Sequence, residues 1–441
     1  MMRGRTKAWA ALLLLTVLLG GGLLWRAQRE PPLAVNAILI TIDTLRPDRM
    51  SLYGYQQNTT PQLGQFFAGS AFTNARSTAP CTLPAVKQFL TGRLDMGGAT
   101  LAQTLQGEGF ETAAVVSQHW FVSDPLYRSG FDYWDPQADG ERDHYGLSTR
   151  RGDAVTARAL RWLDSDRDKD RRFFLWVHYF DPHDPYDPPM DERHFSLGID
   201  RYIHGDRRAA QIRSMESEAK WFMVDWIFDD ADRDALSRLY DDEVRFVDRQ
   251  VGDLLDELEN RGLLESTAIV FGADHGERLG EEGVWDHCYS LHDLELRVPL
   301  AIRMPGPAKP LELDSAVSTL DFYPTLLDAL DVPEPGSLDG ESLLRPIKRG
   351  ATLSSFNAQV AVADGNLKLY LDCTEAGCAP GSLVRPGGLS VFDERPVTAA
   401  SAPGEVDRLA AEARELDSQL SRAIELAKRE FEALHSLGYI Q

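Results

Sequence analysis

The sequence predicts an α/β fold: a mostly parallel central sheet with helices on both faces, plus a small C-terminal α+β subdomain. Two observations carry this. Buried-strand patterns alternate with helical patterns, as a parallel sheet covered on both sides requires. Polar, chemistry-bearing residues cluster just after the strand C-termini, the edge where open α/β sheets bind ligands. From about residue 351 the alternation stops, and strand patterns follow one another without helices between them.

The elements follow in order. Residues 35–41 (VNAILIT) form an apolar run rich in β-branched residues, a buried strand that ends at Asp43. Residues 101–109 read as a helix and 112–117 as the next strand. Residues 173–179 (FFLWVHY) are another buried strand, ending at DPHDPYDPP. The stretch of about 190–232 is charged and irregular and reads as an insertion. Leu236, Leu239, Val244, Val247, Val251, Leu254, Leu255 and Leu258 then mark one face of a long helix stopped by Gly262. Residues 267–272 (TAIVFG) are a further strand, ending at Asp274. In the C-terminal part, residues 358–373 and 389–394 read as antiparallel strands. Leu409, Leu416, Leu420, Ile424, Phe431 and Leu434 predict a terminal amphipathic helix.

The 441 residues suffice for one large domain, expected over 31–350, and a smaller one over 351–441. The formal charge of −22 repels nucleic acid and argues against tight binding to anionic lipid surfaces. An anionic substrate therefore needs a locally positive pocket, which a metal ion supplies. Four Cys do not make a disulfide scaffold. Cys373 and Cys378 are spaced for a short bridge or for two free thiols.

Residues 8–25 are uncharged and almost wholly apolar, and Arg3, Arg5 and Lys7 precede them. As a helix this stretch spans roughly 27 Å, enough to cross a bilayer core. The positive-inside rule leaves the chain after about Arg26 outside. Residues 1–30 are thus expected to be a single-pass anchor in the cytoplasmic membrane, with the rest extracytoplasmic. Secretion after cleavage of a signal peptide is the alternative.

Three segments carry candidate chemistry: ITIDTLRPDRMSLYGY with Asp43, APCTLPAVKQFLTGR with Thr82, and GADHGERLGEEGVWDH with Asp274, His275 and His287. In order, spacing and flanking residues they resemble the sulfatase family of the alkaline phosphatase superfamily. TGR at 91–93, LRVPLAIRMPG after the DHGE segment, and DFYPTLLDALDVP followed by DGESLL extend the likeness over roughly residues 35–345.

The resemblance implies an alkaline phosphatase-like catalytic domain and one divalent cation (Mn²⁺, Zn²⁺, Ca²⁺ or Mg²⁺). It places Asp43, Asp274 and His275 on the metal, with Thr82 as nucleophile and further ligand. His183 matches a substrate-binding histidine of the family, and His287 a polar contact near the leaving group. Val86 stands at the signature arginine position, and Lys87 beside it is the candidate replacement cation. A second metal would draw on Asp181 and His183; one metal is favoured. His178 and His292 read as structural, and Cys288 as packing.

Three departures bear on the chemistry. Thr44 stands where sulfatases usually have a second Asp. His275 stands where Asn often follows. Thr82 occupies the place of the Cys or Ser that becomes formylglycine, and Cys81 is one residue too early. Asp43, Thr82, Asp274 and His275 instead resemble the threonine-nucleophile branch, which includes nucleotide pyrophosphatases, lipoteichoic acid synthases and phosphoethanolamine transferases. Thr82 also reads as the N-cap of the helix begun by LPAVKQFL, and a helix N-terminus favours a bound anion. The expected activity is hydrolysis or transfer of phosphate or sulfate esters, phosphate being favoured. A true sulfuric ester hydrolase and a non-catalytic binding relative are the alternatives. The expected partner is an anionic ester, whether lipid head group, glycan or small molecule.

Overall fold

The computed structural model describes residues 34–118, 121, 124–135, 149–199, 230–306, 310–356, 359–374, 377–386, 394–397 and 404–415. The segment read as an anchor, most of the insertion and the last part of the terminal helix lie outside the described residues. Among the described residues no helix is long and apolar enough to cross a membrane.

Among the described residues fifteen strands are numbered in chain order. The first ten are β1 (Asn36–Ile42), β2 (Ala75–Arg76), β3 (Glu111–Val116), β4 (Tyr133–Asp135), β5 (Phe173–Tyr179), β6 (Thr267–Ala273), β7 (Arg278–Leu279), β8 (Trp285–Asp286), β9 (Leu300–Arg303) and β10 (Val317–Ser318). The central sheet has six strands in the order β4-β3-β5-β1-β6-β9. All neighbours are parallel except β6 and β9. Strands β1, β3, β5 and β6 are buried along their whole length. This is why they read as continuous apolar runs rather than as alternations.

Helices cover both faces. They are α1 (Pro61–Phe67), α2 (Thr82–Thr91), α3 (Leu101–Gly107), α4 (Gly152–Arg161), α5 (Asp230–Asn260) and α6 (Phe322–Ala329). Trp176 stands opposite Leu39, and Phe271 opposite Ile40, so the two aromatic rings point to opposite faces. Phe89 of α2 meets Trp176 edge-on at 6.1 Å and Phe322 of α6 at 5.5 Å. Phe67 of α1 stacks on Phe271 at 5.4 Å. Gly272 lets α6 come close, because a Cβ there would stand 2.6 Å from the Phe322 ring. Gly92 ends α2 at φ 64°, and a Cβ would meet Tyr323 at 2.8 Å. The TGR element is therefore a helix terminator.

The C-terminal subdomain is a five-stranded sheet of β11 (Thr352–Phe356), β12 (Gln359–Ala363), β13 (Lys368–Thr374), β14 (Gly377–Pro386) and β15 (Glu394–Pro396). All its pairings are antiparallel. Leu353, Val360, Val362, Leu369, Leu383 and Leu409 form its core, the last from helix α7 (Glu405–Glu415). Residues 389–393, part of a predicted strand, lie outside the described residues. Cys373 stands opposite Cys378 in the β13–β14 ladder. The subdomain is bound to the segment leading into α2: Ser355 N–H donates to Thr78 O at 2.8 Å, and Ser354 Oγ to Ser77 O at 2.6 Å.

Candidate active site

The site lies at the C-terminal edge of β5, β1 and β6. Ile42 pairs with Ala273, so the next residues, Asp43 and Asp274, leave the sheet side by side. Both are fully buried. The Asp43 N–H still donates to Tyr179 O at 2.9 Å, which keeps it aligned with the strand. Thr44 then turns at φ 54°, a conformation rare for a β-branched residue. Its N–H donates to Asp274 Oδ1 at 3.3 Å. The strained residue thus sits where two carboxylates are aimed, a place where strain recurs in proteins.

Helix α2 delivers Thr82. Cys81 is the N-cap and Thr82 the first helical residue, one step past the cap position read from the sequence. Thr82 Oγ1 lies 3.0 Å from His275 Nε2. His275 Nδ1 lies 2.8 Å from Gly276 O. A carbonyl only accepts, so the ring proton is assigned to Nδ1 and Nε2 presents a lone pair. Around that lone pair stand Asp43 Oδ1 at 3.5 Å and Asp274 Oδ2 at 3.6 Å.

Two further groups complete the chamber, and sequence reasoning missed both. The sequence marks His178 as structural, yet its Nε2 lies 3.9 Å from Asp43 Oδ2, with Nδ1 and Thr41 Oγ1 2.8 Å apart. Ligating atoms of Asp43, His178 and Asp274 lie within 4.8 Å of one another. Gln118 Nε2 donates to Asp43 Oδ2. Their signal was position: His178 lies at the end of β5, which neighbours β1, and Gln118 two residues past the end of β3, the next strand out.

Asp43 Oδ1, Asp274 Oδ2 and His178 Nε2 are buried without a hydrogen bond. Buried polar atoms are seldom left so. Two adjacent carboxylates and imidazole lone pairs are the donor set of a divalent cation. The residues present fit one.

A family model described as Sulfatase matches residues 35–332. The chain belongs to the Sulfatase family. Among curated relatives of this sulfatase-family chain, the N-acetylglucosamine-6-O-sulfatase of Bacteroides thetaiotaomicron is 25% identical, over 72% of this chain and 71% of the relative. The choline-sulfatase of Rhizobium meliloti is 26% identical, over 77% and 78%. A solved structure in complex with its substrate D-glucosamine-2-N,6-O-disulfate superposes with a TM-score of 0.64 at 21% identity, over 91% of this chain and 99% of the other. The phosphonate monoester hydrolase of Agrobacterium radiobacter gives a TM-score of 0.63 at 18% identity, over 89% and 96%. The two structural likenesses show the fold.

The electrostatics of the site fit a cation. Burial pushes the Asp43 carboxyl up, but the imidazoles of His178, His183 and His275 outweigh that and hold it below the ordinary range. Burial, and then the Asp43 charge, hold Asp274 well above its usual value. Burial and the neighbouring His287 push His275 down to about 3. At neutral pH its Nε2 lone pair is therefore open to a cation rather than a proton.

His287 behaves in the opposite way. Burial opposes its charge, but Glu277 and Asp286 hold it well above the usual imidazole value. Nδ1 lies 3.2 Å from Glu277 Oε1 and 2.9 Å from Asp286 Oδ1. Its ring stands 4.4 Å from that of His275 and 5.0 Å from that of His183. Glu277, Asp286 and His287 also have metal-capable spacing, but the shared Nδ1 makes them an ion-pair cluster. His183 stacks on Phe180 at 4.3 Å, with Nδ1 2.6 Å from Asp184 O. Burial lowers its pKa.

The remaining candidates stand elsewhere. Lys87 pairs with Asp124 at 3.0 Å and lies 5.6 Å from the Tyr127 ring. Asp181 Oδ2 accepts from Gly152 N–H at 2.8 Å, at the start of α4. Asp181 and His183 form no metal-capable group among the described residues. His292 Nδ1 accepts from Leu294 N–H at 3.1 Å, a local cap, as its structural reading anticipated. Cys288 requires a correction: it does not merely pack, but is disulfide-bonded to Cys81.

Proposed function

We propose that this chain is a metal-dependent hydrolase or transferase of phosphate esters, with Thr82 as the nucleophile. The single observation that carries the reading is Thr82 Oγ1, 3.0 Å from His275 Nε2, at the start of a helix and beside two orphaned carboxylate oxygens. A cation held by Asp43, Asp274 and His275, with His178 beside them, would lower the pKa of the Thr82 hydroxyl and offset charge on the ester oxygens.

The chain's own residues do the rest. Thr82 Oγ1, its proton given up to solvent, attacks phosphorus; the Oγ–P bond forms as the bond to the leaving oxygen breaks. His287, kept protonated by Glu277 and Asp286, gives its proton to that oxygen. His183 contacts the ester. Water or an acceptor alcohol, giving its proton to the now neutral His287, then attacks phosphorus and breaks the Oγ–P bond, and Thr82 Oγ1 regains a proton from solvent. Phosphate is preferred because a sulfated threonine has no comparable release. The formylglycine hydrate expels sulfate by collapsing to an aldehyde, and Thr lacks the geminal hydroxyl this needs. The relatives named as sulfatases support sulfate as the rival ester. An extracytoplasmic site, anchored through residues 1–30, is part of the same reading. The Cys81–Cys288 bond supports an oxidising compartment.

The test compares turnover of a phosphodiester, a phosphomonoester and a sulfate ester by wild type and Thr82→Ala in the presence of Mn²⁺ or Zn²⁺. Phosphoester turnover should fall by several orders of magnitude in Thr82→Ala, each tenfold being about 1.4 kcal/mol of barrier. Undiminished turnover in that variant removes Thr82 as nucleophile. Turnover of the sulfate ester alone reverses the ester preference.

A further inference from the structure

The two cysteines set aside in the sequence reading flank the two residues to which the chemistry falls. Cys81 immediately precedes Thr82, Cys288 immediately follows His287, and their bond joins positions 207 residues apart. The bridge is seconded by a backbone hydrogen bond from Cys288 N–H to Pro80 O at 3.1 Å. The strand-to-helix turn before Thr82 and the loop carrying His287 are thus stapled at two points.

Two independent features show that the local chain is shaped around this bond. Asp286 has φ 81° and Cys288 φ 67°, so His287 stands between two non-glycine residues in the left-handed region. Such residues persist only where the surroundings over-determine them. On the other side, Cys81 is 1% exposed and occupies the N-cap of α2 without capping it by its side chain. Ser, Thr, Asp or Asn would normally do so. The helix gives up its cap at the residue before Thr82, and the side chain there goes to the loop of His287 instead.

We propose that the Cys81–Cys288 disulfide is a positioning element that sets Thr82 against His287. It rests on the roles given to those two residues above. Thr82 is fixed to the rigid start of a helix, while His287 rides on a loop held by its contacts. Asp43 and Asp274 lie at the ends of β1 and β6, outside the stapled segments. Breaking the bridge should therefore let His287 drift from Thr82 and leave the two carboxylates in place. Misplacement by about 1 Å costs on the order of 10²-fold in rate.

The experiment uses the full chain, purified without reductant and supplied with Mn²⁺. Peptide mapping by mass spectrometry should find Cys81 joined to Cys288. Turnover of a chromogenic phosphodiester and of a chromogenic sulfate ester is then compared among three proteins. These are wild type, Cys81→Ser/Cys288→Ser (which restores a hydroxyl at the N-cap) and Cys373→Ser. The double variant should lose roughly 10²-fold in kcat, with KM within about twofold, bound metal unchanged and Cys373→Ser unaffected. Reduction of wild type should reproduce the loss and reoxidation reverse it, which covers failure of the double variant to fold. Hydrogen exchange at residues 284–290 should quicken on reduction while that of β1 and β6 does not. Free thiols at both positions, a wild-type kcat without the bridge, or unchanged exchange in the loop would each overturn the proposal. Should wild type turn over neither ester, the function reading fails by itself, and the exchange measurement still decides whether the bridge orders the loop of His287.

Discussion

Two clusters of buried charge flank His287 along the chain, one at Asp274 and one at Asp293, and they are built in opposite ways. In the first, Arg76 donates to both oxygens of Asp293 at 3.1 and 2.8 Å, and Lys368 Nζ reaches Asp293 at 2.8 Å and Glu394 at 2.7 Å. Two cations meet two anions, and Arg76, Asp293 and Lys368 are all 1% exposed or less. This cluster welds the C-terminal sheet to the domain of the central sheet. In the second, Asp43 and Asp274 face imidazole lone pairs, and each carboxylate keeps one oxygen without a hydrogen bond. The first cluster is closed by its own residues. The second keeps carboxylate oxygens that its own residues do not satisfy, and that separates a structural ion network from a candidate binding site at equal burial. The carboxyl shifts show the same contrast. Asp293 is held well below its usual range, because Arg76 and Lys368 outweigh its burial. Asp274 is held well above, because burial and Asp43 act together.

The contrast can be broken from either side. The largest expected effect is on turnover. Asp274→Asn should cost about four orders of magnitude in phosphoester kcat/KM, about 5.5 kcal/mol, while the metal-free protein keeps or gains melting temperature as a repelling carboxylate is lost. A metal-free variant melting well below wild type would show that Asp274 is structural instead.

Lys368→Met should do the reverse. Breaking a buried pair by removing one partner costs about 3–5 kcal/mol, read by urea unfolding, with turnover of the folded protein changed little. The same variant should be more acid-sensitive. Asp293 has a depressed folded pKa, so its stabilisation is present above the unfolded value of about 3.9 and lost as pH falls through the folded value. Removing Lys368 shrinks that stabilisation, so the acid midpoint should move upward. An unchanged midpoint would detach Lys368 from Asp293.

Metal should act on the open cluster alone. At 100 times its dissociation constant, Mn²⁺ or Zn²⁺ should stabilise the chelator-treated protein by about 2.7 kcal/mol. Asp43→Asn should abolish that gain, whereas Lys368→Met should retain it. The smallest effect concerns the backbone of the open cluster. Thr44→Gly relieves the left-handed strain at φ 54° but loosens the unfolded chain by a comparable amount, so stability by chemical denaturation should change by no more than about 1 kcal/mol. A loss well beyond that would mean that the turn after Asp43 carries little strain to relieve.

Much of this was legible in the chain itself. The apolar runs that became β1, β5 and β6 end at Asp43, DPHDPY and Asp274, because buried parallel strands have a local signature and their C-terminal edge is where polar residues gather. Thr82 before a helix, His275 beside Asp274, and the amphipathic face of α5 were equally local. Tertiary structure alone decided the rest. His178 became a ligand candidate because β5 pairs with β1 in a register that sets it opposite Thr41. Gln118 reached Asp43 across 75 residues of sequence. Cys288 found Cys81, 207 positions away, rather than a packing neighbour. Periodicity and turn chemistry are properties of a few consecutive residues and survive in the sequence. The partner of a side chain tens or hundreds of positions away depends on strand order and register, which the chain specifies only when it folds.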